Sequence, residues 1–292
     1  MDAAEDRYDA LTDEVAALYD AGRAAAALAL MDAAEDLTPW SAELAHLRAC
    51  LLGSLDRPDE ALAVLERAVA DGAWWEESIL TEDDDLAALQ QRPEFQQLVT
   101  TSRQRRSADP TPPLIQLPAG ECVQVVVALH GAGQRAAHAA RDWAPVLDLG
   151  CALVCVESSQ LMSPMYRTWP DPEAARADVA RALTHLPAEL EGLPLIAAGF
   201  SAGGRVAVDW ALTGLPQRPA GVLALAPALR TLPAATTNKL SPAMIWIGAD
   251  DDLLDVVTDA HLDSYGLTVT VLPNLAHTFP ADFDQQLAGV LS

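Results

Sequence analysis

The sequence is poor in positive charge: 18 Lys and Arg stand against 42 Asp and Glu in 292 residues, a formal balance of −24. A chain this acidic is repelled by nucleic-acid phosphates and anionic lipid surfaces, so a nucleic-acid partner is not expected. The excess is spread over the chain. Up to Arg106 there are 9 basic and 23 acidic residues, and beyond it 9 and 19, which reads as solubility or adaptation to salt rather than as one binding face. Long apolar runs are also missing, and the start, MDAAEDRYDA, lacks the basic head and apolar stretch of a secretory signal, so a cytoplasmic location and no membrane partner are expected. Cysteine is scarce. Cys50, Cys122, Cys151 and Cys155 lack zinc-type CxxC spacing, and Cys151 and Cys155 fall on one face of one strand, so buried free thiols are expected ahead of a disulfide or a metal.

What is present is enough apolar material, 51% of residues, for a substantial core in one or two domains. The first hundred residues carry long Ala- and Leu-rich helical patterns with few breakers, which predicts packed antiparallel helices. GRAAAALALMDAA at 22–34 aligns with DRPDEALAVLERA at 56–68, so that Arg23 matches Arg57, Ala27-Leu28 matches Ala61-Leu62 and Ala34 matches Ala68, an offset of 34 residues. That period, with small residues where helices approach closely, resembles the tetratricopeptide repeat over about residues 8–72. The resemblance leaves open a partner peptide, self-association or simple cover for the rest of the chain.

Two copies are too few for a free-standing solenoid, so another surface must close the stack. Trp74 and Trp75 suit that role, and Pro93 can begin a last helix carrying Phe95 and Leu98. The EDDD run at 82–85 reads as a solvated helix start, and Arg103, Arg105 and Arg106 as a helix-end complement to the dipole. Prolines at 110, 112 and 113 mark a linker, which sets the expected domains at 1–106 and 107–292.

From Val123 the pattern turns to short apolar, β-branched runs: VQVVVALHG, ALVCVESS, LPLIAAGFS, GVLALAPA, AMIWIGADD and LTVTVLPN. Helices fit between them at roughly 135–148, 172–187, 204–213, 253–265 and 281–291. The alternation predicts a doubly wound, mostly parallel α/β sheet, with a short strand around 114–117 before it. In such sheets the chemistry gathers where the strands end.

One strand ends in Gly199-Phe200-Ser201-Ala202-Gly203 and is followed by a helix. This G-x-S-x-G resembles the nucleophile elbow of the α/β-hydrolases, where a strained Ser sits between glycines that keep a tight turn clear. A serine nucleophile requires a base and a carboxylate to orient it. The next-to-last strand ends in Gly248-Ala249-Asp250-Asp251-Asp252, and the family's usual spacing of the acid from the glycine selects Asp251, with Asp252 the alternative and Asp250 a helix cap. The last strand is followed by His277-Thr278-Phe279-Pro280, which resembles the histidine loop of dienelactone-hydrolase-like and phospholipase/carboxylesterase-like members, so His277 is the expected base. His46, His138, His185 and His261 lie in predicted helices, where structural roles are expected.

The resemblance extends to His130-Gly131-Ala132-Gly133, which matches the family's HG-x-G motif and implies that the amides of Ala132 and Ala202 form the oxyanion hole, with His130 holding the loop. Met162, Met165, Tyr166 and Trp169, in the loop SSQLMSPMYRTWPDP, are a candidate acyl pocket or a simply packed loop. The SSQ followed by W-x-D resembles small phospholipase/carboxylesterase-like hydrolases. Together these motifs, spanning about 110–292, imply a serine esterase acting on a small-molecule ester with neither metal nor organic cofactor. A peptidase or amidase using the same triad, and a non-catalytic scaffold, are the competing readings.

Overall fold

The computed structural model describes residues 3–33, 37–106, 110–233 and 239–291. Its contacts divide the chain into two units: Met1–Ala108 with Leu161–Tyr166, and Asp109–Gln160 with Arg167–Ser292.

The first unit is helical, with α1 (Ala3–Asp20), α2 (Ala24–Ala33), α3 (Ser41–Ser54), α4 (Pro58–Ala70), α5 (Glu77–Thr81) and α6 (Pro93–Arg105), and a 3-10 turn at Asp84–Leu89. The 34-residue period read from the sequence survives in the backbone. Gly22 and Asp56 both take left-handed φ values of 69° and 57°, and each ends a helix with the same pair of hydrogen bonds: Gly22 to Tyr19 and Arg23 to Leu18, then Asp56 to Gly53 and Arg57 to Leu52. The aligned pairs Ala27-Leu28 and Ala61-Leu62 are all buried, so the small residue admits a neighbouring helix in both copies. Ala34 lies outside the described residues, as do 107–109 of the linker.

Trp75 closes this core as expected, fully buried and donating its indole N–H to Ala42 O, while Phe95 and Leu98 are buried on α6 behind Pro93. The basic cluster is engaged more specifically than a dipole complement. Arg105 caps the end of α4 through Val69 O and Ala73 O, Arg103 forks onto Glu77, and Arg106 pairs with Glu76. Within the same unit the segment Leu161–Tyr166 is held by Glu43, whose buried carboxylate accepts from Ser163 Oγ at 2.6 Å and Met165 N at 2.8 Å, and by Glu76 N, which donates to Met162 O.

The second unit is the expected sheet: β1 (Leu114–Gln116), β2 (Gln124–Leu129), β3 (Cys151–Val156), β4 (Leu195–Phe200), β5 (Gly221–Leu225), β6 (Ala243–Gly248) and β7 (Thr268–Leu272), in the order β1-β3-β2-β4-β5-β6-β7. All pairings are parallel except β1 with β3. Every residue of β3 and β4 is buried although successive side chains face opposite ways, so both sheet faces are covered. The cover comprises α7 (Ala136–Asp142), α8 (Pro172–Leu183), α9 (Ser201–Thr213), α10 (Leu254–Asp259) and α11 (Phe283–Leu291). Three expected helices are clearly shorter than the sequence pattern: α8 ends at Leu183, α7 stops before Pro145, and α10 stops before His261, whose φ of 48° cannot continue a helix.

Strand order reverses around β2, which has β3 on one side and β4 on the other. That is the switch point at which connections leave in opposite directions and open a crevice at the carboxyl ends. The loops after β2 and β4 are therefore neighbours.

Candidate active site

Ser201 opens α9 directly from the end of β4, with φ at 52°, a left-handed conformation rare for a residue with a side chain. Such a turn is possible because its flanks are bare. A Cβ at Gly199 would collide with the carbonyl of Gly203, and one at Gly203 with the carbonyls of Leu129 and His130 at the end of β2. The second contact seats the start of α9 on the strand that leads into the HG-x-G loop. Ser201 O also accepts from Ala228 N, which ties the turn to the segment after β5.

Of the three consecutive aspartates, the structure brings Asp251 to His277. Its side chain is fully buried, with Oδ2 2.9 Å from His277 Nδ1 and Oδ1 accepting from Leu253 N at 2.8 Å. With both oxygens occupied, the carboxylate holds the ring with Nδ1–H toward it and leaves Nε2 facing away. Asp250 and Asp252 are exposed, and Asp250 is not the cap expected of it, because the N-cap position of α10 is Leu253. The strand and the histidine loop meet tightly: Ala249 N donates to Leu272 O and Asp250 N to Leu275 O, and a Cβ on Gly248 would strike Leu275 O.

Phe279, two residues after His277, anchors the loop. Its ring lies 4.9 Å from that of Phe200 and 5.1 Å from Phe283, which in turn meets Trp143 and Trp246 edge-on. The imidazole of His277 is itself 4.9 Å from the Phe200 ring, so it stands beside the residue that precedes Ser201. Among the described residues Ser201 Oγ makes no hydrogen bond. The imidazole side chain is 39% exposed, so it is reachable from solvent.

The HG-x-G loop is fixed around one open amide. Gly131 N donates to Gln134 Oε1 and Gly133 N to Arg167 O, both at 2.9 Å, while Ala132 N between them has no partner among the described residues. Ala202 N lies in the first turn of α9, where backbone N–H groups have no intrahelical acceptor. His130 is fully buried. Its Nδ1–H donates to Gly131 O at 2.8 Å and Nε2 accepts from Ser158 N, which fixes a neutral tautomer, and burial lowers its pKa to about 4.

Sequence reasoning passed over Glu157 and Arg167. At the end of β3 the buried Glu157 pairs with buried Arg167 at 2.9 Å and accepts from Ala136 N, the first residue of α7, at 2.5 Å. Arg167 also donates to Ser158 O, and its own carbonyl takes Gly133 N. The pair thus sets the height of the HG-x-G loop. An acidic residue closing a wholly apolar strand was the available signal. The SSQ and W-x-D elements form a clip: Gln160 exchanges two hydrogen bonds with the Asp171 backbone, Ser158 Oγ donates to Thr168 O, and Asp171 caps α8.

The expected pocket residues separate into two groups. Met162, Met165 and Tyr166 fold with the helical unit, whereas buried Trp169 packs on His130 at 4.9 Å and donates to its carbonyl. Among the described residues no helix is long and apolar enough to cross a membrane.

Comparison with known proteins gives three findings. Residues 7–109 match a family model described as the A/B hydrolase-like, N-terminal domain. A solved structure of an uncharacterized protein from Bacillus cereus ATCC 10987 is 24% identical with a TM-score of 0.51, over 97% of this chain and 96% of that one; the helical half and the sheet thus recur together. Esterase PE8 is 20% identical with a TM-score of 0.52, over 62% of this chain and 97% of its own. No curated protein matches. The fold is that of the α/β-hydrolases, preceded by a helical region at residues 3–105.

Proposed function

We propose that this chain, an α/β-hydrolase by fold, is a serine hydrolase that cleaves small or medium acyl esters. The observation that carries the reading is the Asp251–His277 hydrogen bond, made by a buried carboxylate to an imidazole standing next to the strained Ser201 turn.

In this mechanism His277 Nε2 accepts the Ser201 proton as Oγ attacks the ester carbonyl, and Asp251 holds the imidazole in the required tautomer and stabilises its cation. The carbonyl oxygen becomes an anion, for which the amides of Ala132 and Ala202 are the donors. His277 then returns its proton to the leaving alcohol. Water, deprotonated by the same nitrogen, attacks the acyl-enzyme, and His277 passes that proton to Ser201 Oγ as the acid leaves. Nucleophile, base, orienting acid and oxyanion donors all come from the chain. Preorganisation supports the assignment: Gly131 and Gly133 are already committed to other acceptors, so the intervening amide is held in place before substrate arrives.

The test is labelling by a fluorophosphonate together with hydrolysis of p-nitrophenyl esters of increasing acyl length and of peptide anilides. Stoichiometric labelling that disappears in Ser201→Ala, with turnover of short esters, is expected. Faster cleavage of anilides would reassign the chain as a peptidase or amidase. A folded protein that takes no label would make it a non-catalytic scaffold.

A further inference from the structure

The helical unit contains a cluster that the proposed hydrolysis does not use. His46 and Cys50 lie one turn apart on the same face of α3, and Asp83, from the segment after α5, reaches them. Cys50 Sγ is 3.2 Å from Asp83 Oδ2 and 3.6 Å from His46 Nε2, and Nε2 is 3.8 Å from Oδ2. The juxtaposition is built into the packing: a Cβ on Gly53 would collide with the carbonyl of Asp85, so only glycine lets the 3-10 turn descend onto α3 far enough for Asp83 to meet Cys50.

We propose that His46, Cys50 and Asp83 bind one divalent transition metal of the zinc class. Bond lengths of about 2.3 Å to sulfur and about 2.0–2.2 Å to nitrogen and oxygen give tetrahedral donor–donor edges of roughly 3.3–3.6 Å, close to the three separations present. The donor set, thiolate, imidazole and carboxylate, is the borderline-soft mixture that zinc favours over magnesium or calcium. Ile79 O lies 3.1 Å from Nε2. Binding releases the Cys50 thiol proton and moves the imidazole proton from Nε2, now donated to Ile79 O, to Nδ1. The sequence alone gave no such expectation, because Asp83 stands 33 residues from Cys50 and reaches it only through tertiary packing.

The test uses the full chain stripped by a chelator and titrated with Co2+ and Zn2+. One equivalent of Co2+ is expected to give tetrahedral ligand-field bands and a thiolate-to-metal charge-transfer band, displaced by Zn2+, with about one proton released. Cys50→Ser should abolish the charge-transfer band and weaken Zn2+ at least tenfold, and Asp83→Asn should weaken it similarly; Cys122→Ser and His277→Ala should leave both unchanged. Should Cys50→Ser fail to fold, protection of Cys50 from alkylation by stoichiometric Zn2+ in the unaltered protein serves the same purpose. Absence of a thiolate band in the unaltered protein, its survival in Cys50→Ser, or its loss in His277→Ala would overturn the assignment.

Discussion

Gly248 lies directly beneath the carbonyl of Leu275, with no room for a side chain between them. One residue therefore sets the distance between the strand that delivers Asp251 and the loop that delivers His277. Gly248→Ala must push that loop away. A loss of about 1–3 kcal/mol in stability is expected, as for overpacked cores, with kcat falling at least tenfold while KM changes little. Urea unfolding and ester kinetics measure the two effects, and an unchanged kcat would show that the contact does not govern the base.

Asp251→Asn should lower kcat by roughly 10³–10⁴, because an amide can present its N–H to the ring and select the wrong tautomer. Asp250→Asn and Asp252→Asn should change it less than about threefold, since both side chains are exposed. Equal losses at all three positions would point to general acidity of the loop rather than to one orienting carboxylate.

The Glu157–Arg167 pair is buried on both sides. Removing one partner strands a charge, so Arg167→Met should destabilise by about 3–5 kcal/mol, and the double variant Glu157→Gln/Arg167→Met should recover part of that loss. Arg167→Met should also depress kcat more than KM, through the Gly133 amide that its backbone anchors. Chemical denaturation with a double-mutant cycle tests the coupling.

His130 gives a pH dependence of known sign. Its pKa is about 6.5 unfolded and about 4 folded, lowered by burial, so between those values the unfolded chain binds the proton and the folded one does not. The associated destabilisation is absent above pH 6.5, grows as pH falls toward 4, and is constant below that, reaching on the order of 3 kcal/mol. In His130→Gln the urea midpoint should therefore drop less between pH 7 and pH 4.5 than in the unaltered protein. Parallel slopes would mean that the ring is protonated in the folded state.

The sequence by itself determined the parts whose signals are local. Short β-branched runs marked the buried strands, the Gly22–Arg23 and Asp56–Arg57 register exposed the helical repeat, and glycines flanking Ser201 marked a turn that only bare backbone allows. Tertiary structure alone decided which of three adjacent aspartates faces His277, because carboxylates one residue apart have the same chemistry and differ only in the direction the chain points them. It likewise drew Met162, Met165 and Tyr166 into the helical unit, paired Glu157 with Arg167, and brought Asp83 to Cys50. Each depends on contacts between residues distant in sequence, where burial and close backbone approach, rather than local pattern, fix the partner.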